Sequence, residues 1–453
     1  MQSRRIVAVL LVLVMALPLA FSLTACNNKE ETLIVYNWAD YIDESVIEIF
    51  EEEYEKEFGV PIKVTYSTFD TNETMLTKVM NNDAYVDVAC PSEYAIQKLL
   101  KADALYKPNK ENIPNEVNID ANIAKKVKEV FGEELYDYMV PYMWGTLGIM
   151  YNADEIDPEE AETAGWGLLW NSTDVKGSKE GESLNGKILM KDSIRDAYAA
   201  AVMYLKEQNR LPQKYVNYSV ADLINCVETD MIIAVEKALT EQKSHLSGYE
   251  VDFGKDDIIE GRAWVDLAWS GDALYAIEEA GDVDIRYFVP EIDGAQCGNI
   301  WFDGWIIPKT AENKRGAESF INFLCRPEIG ILNAIYIGYS SAIDKEVYRN
   351  SEEVILTLED NEYDPEEFFS DEARYPDTTL TTLGVMQDFG EANDAVVSMW
   401  ERVRTSTAEG LQTWAIVLIA LAVIVGVGAI IVVTYYIIDN KKKSRRKLVN
   451  PKE

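Results

Sequence analysis

The sequence predicts an α/β protein, and three observations carry that prediction. Residues 33–41, Leu-Ile-Val-Tyr-Asn-Trp-Ala-Asp-Tyr, begin β-branched and apolar, as a strand does, and end in a short aromatic and acidic loop. A helical pattern follows at once, with Val46, Ile47, Ile49 and Phe50 apolar and Asp43, Glu44 and Glu48 among them. From Leu33 to about Arg404 the same alternation of apolar runs and amphipathic helices repeats. A chain of 453 residues at 48 % hydrophobic content can build a packed core in roughly two or three domains.

Taken in order, residues 1–26 have the form of an export signal. Arg4 and Arg5 precede an apolar run over 6–23 that Pro18 interrupts. The run ends in Leu23-Thr24-Ala25-Cys26, which resembles the lipobox of bacterial lipoproteins and implies cleavage before Cys26 and lipid on its thiol. An uncleaved anchor would also leave the protein outside the membrane. Residues 27–32 read as a tether. Strands are expected at 62–66, 86–89, 147–151, 187–190, 264–268, 285–289 and 305–307. Helices are expected at 71–81, 93–102, 196–207, 220–228 and 314–324, with Pro327 stopping the last. The acidic stretch 352–377, with Pro365 and Pro376, reads as an irregular excursion.

The C-terminal segment changes class. Residues 414–438 carry no charged side chain, and their length exceeds the roughly 20 residues needed to cross a bilayer. Lys441, Lys442, Lys443, Arg445, Arg446 and Lys447 follow, so the positive-inside rule places the tail 439–453 in the cytoplasm. The export signal agrees: domain outside, tail inside.

Charge narrows the ligand class. Asp and Glu number 78 against 42 Lys and Arg, a net charge of −36, which repels nucleic acid and attracts cations. His245 is the one histidine. A two-histidine metal site and an HExxH motif are therefore excluded, no cofactor or metal is expected, and His245 reads as a loop or helix-surface residue. Cys90, Cys226, Cys297 and Cys325 form no CxxC and read as small buried residues, with a disulfide among them left open.

An aromatic ring and a carboxylate recur together beside predicted strands. The first case is Trp38, Asp40 and Tyr41; others are Pro91-Ser92-Glu93-Tyr94, the 191–196 stretch Lys-Asp-Ser-Ile-Arg-Asp, Trp269-Ser270-Gly271-Asp272, and Trp301-Phe302-Asp303-Gly304-Trp305. Each singly has a structural explanation: Ser92 and Asp192 as helix caps, Trp269 and Trp301 as core, Gly271-Asp272 as a turn. Their recurrence at strand ends, where α/β proteins bind ligands, points to an organic-cation site.

These stretches resemble the spermidine/putrescine-binding proteins, the solute receptors of polyamine-uptake ABC transporters. The pieces that carry the resemblance are YNWADY, YSTFDTNETMLTKV, DVACPSEY, PYMWGTLGIMYN, KDSIRD, AWSGDA, WFDGWIIPK, FINFLCRPE and IGYSS, in order between about Leu33 and Arg404. The resemblance implies a two-lobed periplasmic-binding-protein type II fold with a cleft between the lobes. It assigns 33–141 and about 270–308 to lobe 1 and about 142–269 and 309–404 to lobe 2, with crossings near 141–144 and 269–272. It further implies that Trp38 and Tyr41 touch the ligand with Asp40 nearby, and that Ser92 and Tyr94 line the first lobe's wall. Asp196 matches an acidic position that binds an amine, whereas Ser193 stands where one branch of the family has a second carboxylate. Trp269 and Asp272 match a ring and a carboxylate of the site, and Asp303 and Trp301 another such pair. Tyr339 matches an aromatic contact near the second lobe.

The chemistry of a polyamine fits such a set. Carboxylates anchor its ammonium groups, and ring faces cover its methylenes while attracting the charge by about 0.5–2 kcal/mol per contact. The expected function is therefore a polyamine receptor that serves an ABC permease, bound to the membrane and performing no covalent chemistry. The rivals are a receptor for another organic cation or a sugar, a glycosidase using Asp272 and Asp303, and a structural envelope protein.

Overall fold

The computed structural model describes residues 30–81, 85–170, 183–371, 374–375 and 382–406. The expected export signal, Cys26, the apolar run 414–438 and the basic tail lie outside these residues.

Strand β1 (Glu31–Trp38) pairs in parallel with β2 (Ile62–Phe69) and β3 (Val88–Ala89). Glu31 already pairs with Ile62, so the tether expected over 27–32 gives up its last two residues to the strand. Next come β4 (Leu105–Tyr106) and β5 (Met139–Asn152), then β6 (Ile188–Lys191), β7 (Leu246–Glu250), β8 (Val265–Trp269) and β9 (Ile285–Phe288). A hairpin, β10 (Glu291–Ile292) with β11 (Ala295–Gln296), leads into β12 (Asn299–Pro308), and β13 (Ser340–Ser341) is last. The main sheet runs β2-β1-β3-β12-β5-β8-β6-β7; β4 joins β12, while β9 and β13 join β5.

β5 is buried along its whole length and starts well before the expected 147–151. Pro141, Gly145 and Gly148 break its apolar pattern, which hides it from a reading by periodicity. Gly145 is there for room: a Cβ would meet Ser270 Oγ at 2.6 Å and the Trp301 ring at 2.7 Å.

The buried residues form two principal cores. The first holds β1, β3, the opening half of β5, most of β12 and the helices Lys314–Leu324, Pro327–Ile337 and Glu352–Asp360. The second holds Leu147, Ile149 and Tyr151 of β5, together with β6, β8 and the helices Ile194–Glu207, Thr229–Gln242 and Asn393–Thr405. A small satellite core joins helix Ser270–Glu279 to β8 and β9.

This corrects the expected lobe boundaries. The helix after Trp269 folds back on β8 and β9 of its own sheet, so 270–279 packs in the satellite core and not with the first core. Helix Lys314–Leu324 belongs with the first, because Phe320 and Phe323 set their rings 5.0 and 5.5 Å from Phe50. The chain passes between cores near 144–147, where 141–144 was expected, and then near 297–300 and 385–386, where one passage at 269–272 was expected. The three passages lie side by side: Leu147 pairs with Asn299, and Ile300 N donates to Gly384 O at 2.9 Å.

Two local expectations also change. The helix over 220–228 stops at Ile224, and a separate helix begins at Thr229. The excursion at 352–377 contains helices Glu352–Asp360 and Pro365–Ser370, capped by the side chains of Ser351 and Asp364, with Val354, Leu358, Phe368 and Phe369 turned inward. All four cysteines named above are buried and unbridged.

Candidate functional site

A cleft of about 300 Å³ opens between the two principal cores, and all eleven expected site residues line it. On the first wall, β1 delivers Trp38, and the chain turns through Asp40, which is exposed and has a left-handed φ of 49°. Tyr41 then enters the cleft. Asn37 Nδ2 and the Tyr142 hydroxyl both donate to Tyr41 O, at 3.1 and 3.2 Å, which fixes the turn. The Tyr41 hydroxyl donates to Asp303 Oδ2 at 2.9 Å.

Asp303 does not follow a strand, as the sequence suggested, but interrupts one. The register of β12 against β5 shifts between Phe302 and Gly304, and Asp303 bridges to Ser92 instead. Such a bulge re-aims a side chain, here into the cleft. Asp303 is 5 % exposed, and its Oδ1 has no hydrogen-bond partner among the described residues. Burial pushes its carboxyl up to about 7; the Ser92 and Tyr41 hydroxyls oppose the rise and nearby Asp196 adds to it. Glu93 lies behind it, accepting from Phe302 N at 2.9 Å, and burial pushes that carboxyl to about 8.

Ser92 opens helix Glu93–Lys101 without making a side-chain cap bond. Its hydroxyl accepts from Asn72 Nδ2 at 3.0 Å, and Asn72 Nδ2 also reaches the Tyr94 hydroxyl at 3.0 Å. One buried asparagine thus orients both predicted wall residues. Trp301 and Tyr339 cross edge to face at 5.2 Å, and Tyr339 meets Tyr41 the same way at 5.6 Å. Tyr339 belongs to the first core and reaches toward the second lobe through its hydroxyl.

On the second wall, Asp196 and Asp272 sit in the first turns of helices Ile194–Glu207 and Ser270–Glu279. A helix N-terminus favours a carboxylate there. Ser193, not Asp192, caps the first of these helices. Burial raises the Asp196 pKa, and hydrogen bonds from Ser193 and Trp269 resist that rise. Asp272 Oδ1 accepts from the Tyr339 hydroxyl at 3.1 Å, and Oδ2 lies 3.2 Å from Lys191 Nζ.

Lys191 ends β6 and is 1 % exposed. Its ammonium lies 2.5 Å from Glu250, donates to Val251 O at 2.9 Å and stands 4.3 Å from the centre of the Trp269 ring. Burial alone would lower its pKa, but the charges of Glu250, Asp272 and Asp266 outweigh that and raise it. Lys191, Glu250, Glu93 and Asn72 are the residues the sequence reading missed as site-formers. Lys191, Asn72 and Glu93 stood inside quoted motifs without a role. Glu250 ends a strand that no periodicity announced.

Rings and buried carboxylates together suit a cation with an apolar body. They suit hydrolysis poorly, because both oxygens of Asp272 already hold partners.

Comparison with known proteins agrees. A family profile described as "Bacterial extracellular solute-binding protein" matches residues 50–354. The chain is 30 % identical over 327 residues to the putrescine-binding periplasmic protein SpuD of Pseudomonas aeruginosa, covering 71 % of this chain and 80 % of that one. It is 28 % identical over 323 residues, with the same coverage of each chain, to the spermidine/putrescine-binding periplasmic protein of Escherichia coli. Among solved structures, the spermidine/putrescine ABC transporter substrate-binding protein PotD of Streptococcus pneumoniae superposes with a TM-score of 0.57. That pair shares 28 % identity, with 83 % of this chain and 100 % of the other covered.

Proposed function

The chain belongs to the bacterial extracellular solute-binding proteins, and from that premise we propose that it captures polyamines outside the cell and delivers them to an ABC permease. The observation that carries the ligand class is the pole around Asp303. A buried carboxylate with one oxygen unpartnered among the described residues lies beside Tyr41 and Trp301, facing Asp196. An ammonium group relieves that unpaired charge, and the rings cover the methylenes behind it. A neutral sugar would leave the carboxylates without a counter-charge. Trp38, Asp40, Tyr94 and Trp269 complete the reading as ring and rim contacts.

Membrane attachment belongs to the same proposal. The lipobox ending in Cys26 supports a lipid anchor, and the uncharged run 414–438 supports one membrane span with the basic tail in the cytoplasm. Either anchor raises the receptor's effective concentration near its permease. Calorimetric titration of the full-length protein in detergent tests the ligand class. Putrescine or spermidine should bind at micromolar or tighter affinity, about −8 kcal/mol or better, while neutral sugars give no heat. Saturable sugar binding without polyamine binding would refute it.

A further inference from the structure

We propose that Lys191 is a resident ammonium that fills the cation subsite of Asp272, Glu250 and Trp269, so that the cleft offers an incoming amine one open pole, at Asp303, instead of two. This rests on the polyamine reading and refines it. The surroundings of Lys191 Nζ are those a ligand ammonium would want: Glu250 at 2.5 Å, Asp272 at 3.2 Å, a backbone carbonyl at 2.9 Å and an indole face at 4.3 Å. Both oxygens of Asp272 are then engaged, because Oδ1 accepts from the Tyr339 hydroxyl and has Lys255 Nζ at 4.0 Å.

A ligand could not readily displace this lysine. Its side chain is 1 % exposed, and withdrawing it would strand Glu250, itself 1 % exposed, without a counter-charge. It is also tethered, which gives it a standing advantage over a free amine. At the opposite pole no ion pair reaches Asp303 or Asp196 among the described residues. The two poles are joined through rings and hydroxyls: Asp272 to Tyr339, Tyr339 to Tyr41, Tyr41 to Asp303.

The consequence is selectivity. One ammonium of the ligand meets Asp303, and its other end meets a wall already neutralised by Lys191. Any second ammonium relies on exposed rim carboxylates such as Asp252 and Asp40, where solvent screens the attraction. The charge on that second end should therefore matter little. Removing the lysine should make it matter.

The test compares putrescine with N-acetylputrescine, which keeps one ammonium, on full-length protein by calorimetry. In the unaltered chain acetylation should weaken binding by less than about threefold. In Lys191→Met it should weaken binding by about tenfold or more, since hydrogen bonds to charged groups carry factors of that size. Lys191→Arg keeps a cation at the subsite, so acetylation should again weaken binding by less than about threefold, whatever the variant's affinity for putrescine itself. Because Lys191→Met leaves the buried Glu250 without its ion-pair partner, thermal stability is measured alongside, with and without methylammonium. A saturable rise in melting temperature, larger than any that the open Asp303 pole gives in the unaltered chain, is expected as the small amine fills the subsite. If Lys191→Met shows neither the new discrimination nor the methylammonium effect, Lys191 is only a structural ion pair and the inference fails. Absence of polyamine binding in the unaltered chain would instead overturn the functional reading beneath it.

Discussion

Ligand binding is proton-linked if the ammonium meets, as proposed, the buried carboxyl of Asp303. Its pKa rises from the ordinary 3.8 to about 7 because burial disfavours the charge. The sign follows from linkage. The protonated form is the one the empty fold tolerates, so this group's contribution to stability is full below the ordinary carboxyl range and is lost as pH rises through about 7. Glu93, raised to about 8, acts in the same direction. An ammonium needs the ionised form, so binding should release a proton below about pH 7, and affinity should climb with pH until the carboxyls are ionised anyway. Titrations in buffers of different ionisation enthalpy measure that release directly. Asp303→Asn should abolish most of it and weaken putrescine binding about tenfold to hundredfold. Asp360→Asn, on an exposed helix end, should change neither. A pH-independent affinity in the unaltered chain would show that Asp303 does not meet the ammonium.

At the scale of elements, the close approach of helix Ser270–Glu279 to Tyr339 decides whether the site assembles. A Cβ on Gly271 would lie 2.3 Å from the Tyr339 ring. That ring touches Trp301 and Tyr41, and its hydroxyl reaches Asp272. Gly271→Ala must therefore push the helix or the ring aside, an overpacking worth about 1–3 kcal/mol. The expected outcome is a lower melting temperature together with weaker putrescine binding. A variant that binds as tightly as the unaltered chain would mean that the Tyr339 contact is dispensable. Local pattern found most elements: β1, β2, β6, β8 and the helices from Asn72, Glu93 and Lys314 carry apolar residues at their own period. It missed the first half of β5, where Pro141, Gly145 and Gly148 serve packing. It also missed the helices in 352–377, where abundant charge obscures a buried face of Val354 and Leu358.

For the whole molecule, three neighbouring passages at 144–147, 297–300 and 385–386 join the two cores. The membrane reading adds an orientation: the binding domain outside and the tail 439–453 inside. Protease added to intact cells should digest the large domain and spare a tag placed after Glu453. Loss of that tag to external protease would invert or abolish the proposed span. By itself the sequence determined the α/β class, the acidic and aromatic character of the expected site and, through ordered motifs, eleven of the residues that line the cleft. Those properties are local: period, residue type and motif each survive in a one-dimensional string. The placing of 270–279 and 314–371, the bulge that turns Asp303 inward and the pairing of Lys191 with Asp272 were decided only by tertiary structure. Each depends on which distant segments pack together. Lys191 and Asp272 lie 81 residues apart, and no local pattern reports that a carboxylate has already found its cation.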